Sequence, residues 1–167
     1  MAKNFQDFYN EVIGHAYDID GSYGAQCWDG YAKYCQWLGI QIVYCTVTGG
    51  VRDILEQSSW NGVLKSCSIV SSPQNGDIGV WTNEGGGYGH VAMYYNGGWL
   101  GQNQGGTPYP YGGSAFNVIN LYMPTGLLRP GGVDPSPTPG PEPEPEPGKL
   151  YLDIINGIVV GARIERS

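Results

Sequence analysis

Apolar side chains recur at Phe5, Phe8, Tyr9, Val12, Ile13 and Ala16, spaced i, i+3, i+4, i+7, i+8 and i+11, with polar residues between them. That spacing lays one apolar stripe along a helix and predicts a helix over residues 3–16. A second stripe of Tyr31, Tyr34, Cys35 and Leu38 begins near Gln26 or Cys27. It stops at Gly39, where glycine can take the left-handed conformation that ends a helix. A weaker helix covers about 51–57. After Pro73 the pattern changes: segments 77–82, 89–95, 98–104 and 118–124 are short, bounded by glycine and rich in β-formers, as antiparallel strands are. Helices first and sheet afterwards predict an α+β fold, with N-terminal helices packed on an antiparallel sheet.

The pattern breaks near residue 131. From Gly131 to Gly148 the chain is dominated by proline, glycine and glutamate, a composition that forms no core and favours extended polyproline geometry. We therefore expect a folded unit over 1–130, a linker over 131–148 and a tail over 149–167. At about 3.1 Å per residue, the stretch from Asp134 to Pro147 spans roughly 40 Å when fully extended. The tail holds Asn156-Gly157 between apolar runs, a hairpin signal. One hairpin is too small to stand alone. The tail is the start of a larger binding domain, an oligomerisation strand or a frayed end, and the oligomeric state stays open.

Composition narrows the function. A net charge of −7 with no basic cluster argues against nucleic acid and against anionic membrane surfaces. The N-terminal residues lack an apolar run behind Lys3, so no secretory signal is visible, and no stretch is long and apolar enough to cross a bilayer. Four cysteines, at 27, 35, 45 and 67, show neither paired zinc-site spacing nor the density of a disulfide scaffold. With two histidines in the whole chain, a His-rich metal cluster is excluded.

The same few polar residues point to nucleophilic chemistry. Cys27 stands at the predicted start of a helix, where unpaired N–H groups and the macrodipole favour thiolate. The competing reading is a small buried hydrophobe, which Cys35, on its apolar stripe, and also Cys45 and Cys67 fit better. His90 follows the glycine-rich 85–89 at the head of a strand and is the better general base; His15 ends the first helix as a dipole partner or surface residue. An imidazole used this way needs an orienting group on its other nitrogen. Gln102, Asn103 and Gln104 are the candidates, and strand alternation sets Gly101 and Asn103 on one face and Gln102 and Gln104 on the other. Asn103 is preferred, although any of these amides can equally serve the sheet edge. The Cys27 amide and the Gln26 side chain are the expected oxyanion donors.

A separate signal runs from Asp18 to Asp29. Counting Asp18 as the first position puts oxygen donors at Asp18, Asp20, Ser22, the Gly24 carbonyl and, twelfth, Asp29, the donor spacing of a calcium loop. Tyr23 occupies the sixth position, where an EF-hand needs glycine, and Asp29 replaces its terminal glutamate. An acidic Asx-turn leading into a helix is the alternative.

In order, the chain carries Asp18-x-Asp20-Gly21-x-Tyr23-Gly24-x-Gln26-Cys27-x-Asp29, then 73–78 (Pro-Gln-Asn-Gly-Asp-Ile), then 86–92 (Gly-Gly-Tyr-Gly-His-Val-Ala), then Gln102-Asn103, then Leu128-Arg129-Pro130. With this ordered set, residues 1–130 resemble the CHAP domain, the cysteine- and histidine-dependent amidohydrolase/peptidase of bacteriophage endolysins and bacterial wall hydrolases. The resemblance implies a papain-like α+β fold, Cys27 as nucleophile, His90 as general base and bacterial peptidoglycan as substrate. It is nearest the calcium-dependent subgroup, in which the aspartates corresponding to Asp18, Asp20 and Asp29 hold Ca2+. One departure stands out: many members carry Glu-Gln-Asn where this chain has Gly101-Gln102-Asn103, which leaves Asn103 to orient His90 alone. CHAP enzymes divide between endopeptidases and N-acetylmuramoyl-L-alanine amidases, and the calcium-loop relatives lean to the endopeptidases. A wall-binding module without activity is the non-enzymatic alternative. The missing signal fits an endolysin stored in the host cytoplasm and released through a holin. Trp28, Trp81, Tyr88, Trp99, Tyr109 and Tyr111 either line a substrate groove or pack the core.

Overall fold

The computed structural model describes residues 2–56, 66–105, 114–136, 149–155 and 158–165. They fall into two units, Met1–Pro137 and Thr138–Ser167. The first helix, α1 (Phe5–Val12), is capped by Asn4, whose side chain accepts the Gln6 N–H at 2.9 Å, and it buries Phe5, Phe8 and Val12. It ends four residues before the apolar stripe does, and the chain passes through Gly14 at φ 76°. The second helix, α2 (Cys27–Leu38), ends at Gly39 in the left-handed conformation (φ 76°), as its glycine predicts. A third, α3 (Asp53–Glu56), is a single turn.

Of the strands, β1 (Lys3–Asn4) precedes α1; then come β2 (Cys67–Val70), β3 (Ile78–Trp81), β4 (His90–Tyr95), β5 (Gly98–Gly101), β6 (Asn117–Ile119), β7 (Gly126–Pro130) and β8 (Val133–Asp134). Six of them form one antiparallel sheet in the order β2-β7-β3-β4-β5-β6. This is the α+β architecture that the pattern predicts. Period-2 alternation divides the sheet's side chains: Ile78, Val80, Val91, Met93, Leu100 and Leu128 meet Phe5, Phe8, Tyr31, Tyr34 and Cys35 of the helices. Trp81, Ala92, Trp99 and Leu127 form a smaller cluster on the other face. Burial of each large apolar side chain contributes about 1.5–3 kcal/mol, and Phe8 and Tyr34, with ring centroids 4.7 Å apart, join the two helices.

Two of the sequence runs, 73–78 and 128–130, turn out to be one clamp. Arg129 of β7 donates from Nε to Asp77 Oδ1 at 2.9 Å and from a terminal nitrogen to Oδ2 at 2.7 Å, a bidentate pair on a carboxylate that is 1% exposed. The folded unit also extends past the predicted boundary at 130. Val133 packs against the main core and β8 pairs in parallel with β1, Lys3 opposite Val133 and Asn4 opposite Asp134. The linker's first residues thus belong to the domain; residues 137–148 lie outside the described ones. In the second unit, β9 (Lys149–Ile155) and β10 (Ile158–Glu165) form an antiparallel pair with a register shift between Val159 and Gly161. The predicted Asn156-Gly157 turn lies outside the described residues. Among the described residues, no helix is long and apolar enough to cross a membrane.

Candidate active site

Why α2 begins at Cys27 is a matter of hydrogen bonds. Gln26 is extended (φ −91°, ψ 167°), and its N–H donates to Asp29 Oδ2 at 2.8 Å, so Asp29 in the first turn closes the helix start. The other oxygen, Oδ1, accepts Ile19 N–H at 2.8 Å and Asp20 N–H at 3.4 Å. Asp29 is therefore the hub that folds the acidic loop onto the helix carrying the cysteine. Buried Gln102 completes the joint: its Nε2 donates to Tyr17 O and Gln26 O, each at 2.8 Å, and its Oε1 accepts Tyr17 N–H. Gly30 lets α2 come this close, since a Cβ there would stand 3.0 Å from the Phe116 ring and 3.1 Å from Gln102.

Half-buried Cys27 lies beside the strand that begins at His90. Burial pushes its thiol up to about 11, against main-chain N–H groups of Val91, Trp28 and Cys27 that favour the thiolate; the Asp29 carboxylate adds to the rise. The helix start alone predicts a lowered value, and desolvation outweighs it. His90 is likewise pulled below its ordinary value, mainly by burial, with its hydrogen bond to Gln104 opposing the shift. Burial thus disfavours the charged form of each group, thiolate and imidazolium alike.

Two loops position His90. The glycine-rich 85–89 precedes it, with Gly89 at φ 85°, where a Cβ would lie 2.7 Å from Trp81 O. Gly50 presses on the same loop, a Cβ there coming within 2.4 Å of Tyr88 O, and Arg52 donates to Gly87 O. The imidazole packs at 5.6 Å from the Trp81 ring.

The expected partner of His90 is corrected here. Its Nε2 is 2.8 Å from Gln104 Oε1, while Asn103 Nδ2 donates to Gln26 Oε1 at 3.1 Å. The alternation argument fails because β5 stops at Gly101 and Asn103 adopts φ 55°, which turns the chain out of the strand and redirects the side chains that follow. Gln104 was within the candidate set, but no local pattern singles it out. Gln26, the expected oxyanion donor, uses Nε2 to reach Tyr23 O at 2.8 Å; an amide NH2 has two donors, so a second N–H remains.

Carboxylate oxygens of Asp18, Asp20 and Asp29 lie within 4.8 Å of one another. Three hard anionic donors at that spacing, two of them exposed and one buried, suit a calcium ion. Ser22 shares the loop, its N–H on Asp20 Oδ1 at 2.8 Å, and Gly24 takes φ 70°. Tyr23 takes φ 64°, the left-handed conformation that glycine supplies at the sixth position of an EF-hand. Burial raises the carboxyl of Asp29, with Asp20 adding to the rise against its main-chain hydrogen bonds.

Of the six aromatic groove candidates, Trp81 and Trp99 are core, 2% exposed and in T-shaped contact at 4.8 Å. Trp28 is half-buried with its indole N–H on Val43 O, Tyr88 is 65% exposed, and Tyr109 and Tyr111 lie outside the described residues. Tyr44, unnoticed in the sequence, is 69% exposed with its ring 5.8 Å from that of Trp28. His15 is exposed and lies three residues beyond the end of α1, outside the helix.

No protein-family model matches the chain. Its sequence is 43% identical over 125 residues to a D-alanyl-L-alanine endopeptidase of Streptococcus phage B30, a match that covers 70% of this chain and 27% of that protein. The chain therefore spans little more than a quarter of that relative's length. The crystal structure of a wild-type endolysin, LysIME-EF1, superposes with a TM-score of 0.49 at 20% identity, covering 75% of this chain and 62% of the other.

Proposed function

We propose that the Met1–Pro137 unit is the catalytic domain of a phage peptidoglycan hydrolase of the CHAP type, an endopeptidase that cuts beside D-alanine in the wall peptide. The observation that carries this reading is the apposition of the Cys27 thiol, at the first residue of α2, with the N-terminus of β4, where His90 stands. Likeness to a phage protein named as a D-alanyl-L-alanine endopeptidase supports the choice of bond. His90 takes the Cys27 proton as sulfur attacks the peptide carbonyl. The resulting oxyanion is held by the Cys27 N–H and a Gln26 side-chain N–H. His90 then returns the proton to the leaving amine and activates the water that cleaves the thioester.

Asp18, Asp20 and Asp29, with Ser22 and Gly24 beside them, are the proposed calcium ligands. A bound ion would supply positive charge to a loop that otherwise sets three carboxylates together, and would steady the start of α2. The site of action we infer is the bacterial wall, reached after phage-directed release from the host.

The test is Cys27→Ala, which abolishes lysis of purified walls in a folded protein, whereas Cys35→Ala, a core truncation, keeps substantial activity. Retained lysis by folded Cys27→Ala rejects the mechanism. Mass spectrometry of the digest decides the bond: an endopeptidase leaves stem peptides on the glycan, and an amidase frees stems that begin with L-alanine.

A further inference from the structure

We propose that Gln104 is the positioning residue of His90, and that its carboxamide holds the imidazole in the tautomer protonated on Nε2, which makes Nδ1 the base. This rests on the Cys27–His90 reading. A carboxamide has an acceptor at one end and donors at the other, so the end facing the ring dictates where the ring's proton sits. Gln104 Nε2 lies 2.8 Å from Trp99 O, 3.0 Å from Asn117 O and 3.1 Å from Asn117 Oδ1. Two of these are main-chain carbonyls, which only accept, so the NH2 must stand at that end. Asn117 is itself turned by Nδ2 donating to Gln104 O at 3.0 Å. The oxygen end, Oε1, faces His90 Nε2 at 2.8 Å. An oxygen acceptor there requires an N–H, and the lone pair is left on Nδ1.

Gln104 is fixed along its whole length. It is 6% exposed, its N–H donates to Ser114 Oγ at 3.1 Å, and its carbonyl accepts from the same hydroxyl at 2.9 Å. Room for Oε1 exists because residue 101 is glycine: a Cβ at Gly101 would stand 2.9 Å from Oε1 and 3.0 Å from the Ala92 methyl. Gly101, Gln104 and Asn117 therefore act as one device behind the imidazole.

The experiment uses the full chain with 15N-labelled imidazoles, observed where the rings are neutral, with His15→Gln assigning the two signals. Wild type is expected to carry its proton on Nε2. Gln104→Ala gives a mixture, and its kcat on purified walls falls about 10²-fold with little change in KM; Gly101→Ala falls between. A wild-type ring protonated on Nδ1 overturns the proposal, as does a folded Gln104→Ala protein with wild-type tautomer and kcat. The tautomer is read in the resting protein. Lysis by Cys27→Ala would remove the catalytic reading, whereas an Nδ1-protonated ring beside an inactive Cys27→Ala would remove only the role of Gln104.

Discussion

Burial shifts the Cys27 thiol and the His90 imidazole in the same direction, toward the neutral form. His90 has a folded value below the ordinary imidazole value of about 6.5, which the unfolded chain keeps. Unfolding therefore takes up a proton in the window between the two. The stability this group contributes is fully present above about pH 6.5 and is lost as pH falls through the folded value. The drop in Tm between about pH 7 and pH 5 should be larger for wild type than for His90→Gln, and lysis should persist below the ordinary imidazole range. An equal drop in both proteins would mean that His90 is not held neutral by its surroundings. Cys27 at the start of a helix and His90 at the head of a strand were both legible from residue type and neighbours. Gln104 was not, since its role depends on Asn103 leaving the strand conformation and on the empty space at Gly101.

At the scale of elements, the acidic loop and α2 are one mechanical piece because Asp29 belongs to both, accepting from Ile19, Asp20 and Gln26. Whatever relieves the repulsion among Asp18, Asp20 and Asp29 should also steady the helix that carries Cys27. Chelator is expected to lower both Tm and lytic activity, calcium to restore them, and magnesium to do so poorly, as it demands tighter octahedral coordination. Melting curves that coincide with and without chelator would reject the ion. The helices and the strands β3, β4 and β5 were legible because their stripes are long or cleanly alternating. By contrast, β2 and β7 escaped: Cys67–Val70 is a four-residue edge strand with Ile69 exposed, and β7 carries Arg129 and Pro130, whose polarity hides a strand defined by its partners.

For the molecule as a whole, the boundary matters more than the linker's composition suggests. Proline and glycine after residue 130 mark a region that builds no core of its own, yet Val133 and the β1–β8 pairing finish the first unit. Gly76 marks how closely: a Cβ there would meet the Val133 side chain at 2.7 Å and the Tyr34 hydroxyl at 2.9 Å. A chain truncated after residue 137 should melt close to the full-length protein, and one truncated after residue 130 several degrees lower, by differential scanning calorimetry. Equal melting of the two truncations would show that 131–137 add nothing. Composition could not reveal this, because a two-residue parallel pairing between the ends of a domain leaves no periodic trace.

All four cysteines are unpaired, and three of them, Cys35, Cys45 and Cys67, are closed in the core with thiols pushed up to about 12, 12 and 11. The described fold owes nothing to an oxidising environment, so reductants leave its architecture untouched. Peroxide and disulfide reagents meet the half-buried Cys27 first. Under the proposed mechanism, redox damage accordingly stops turnover long before it unfolds the protein.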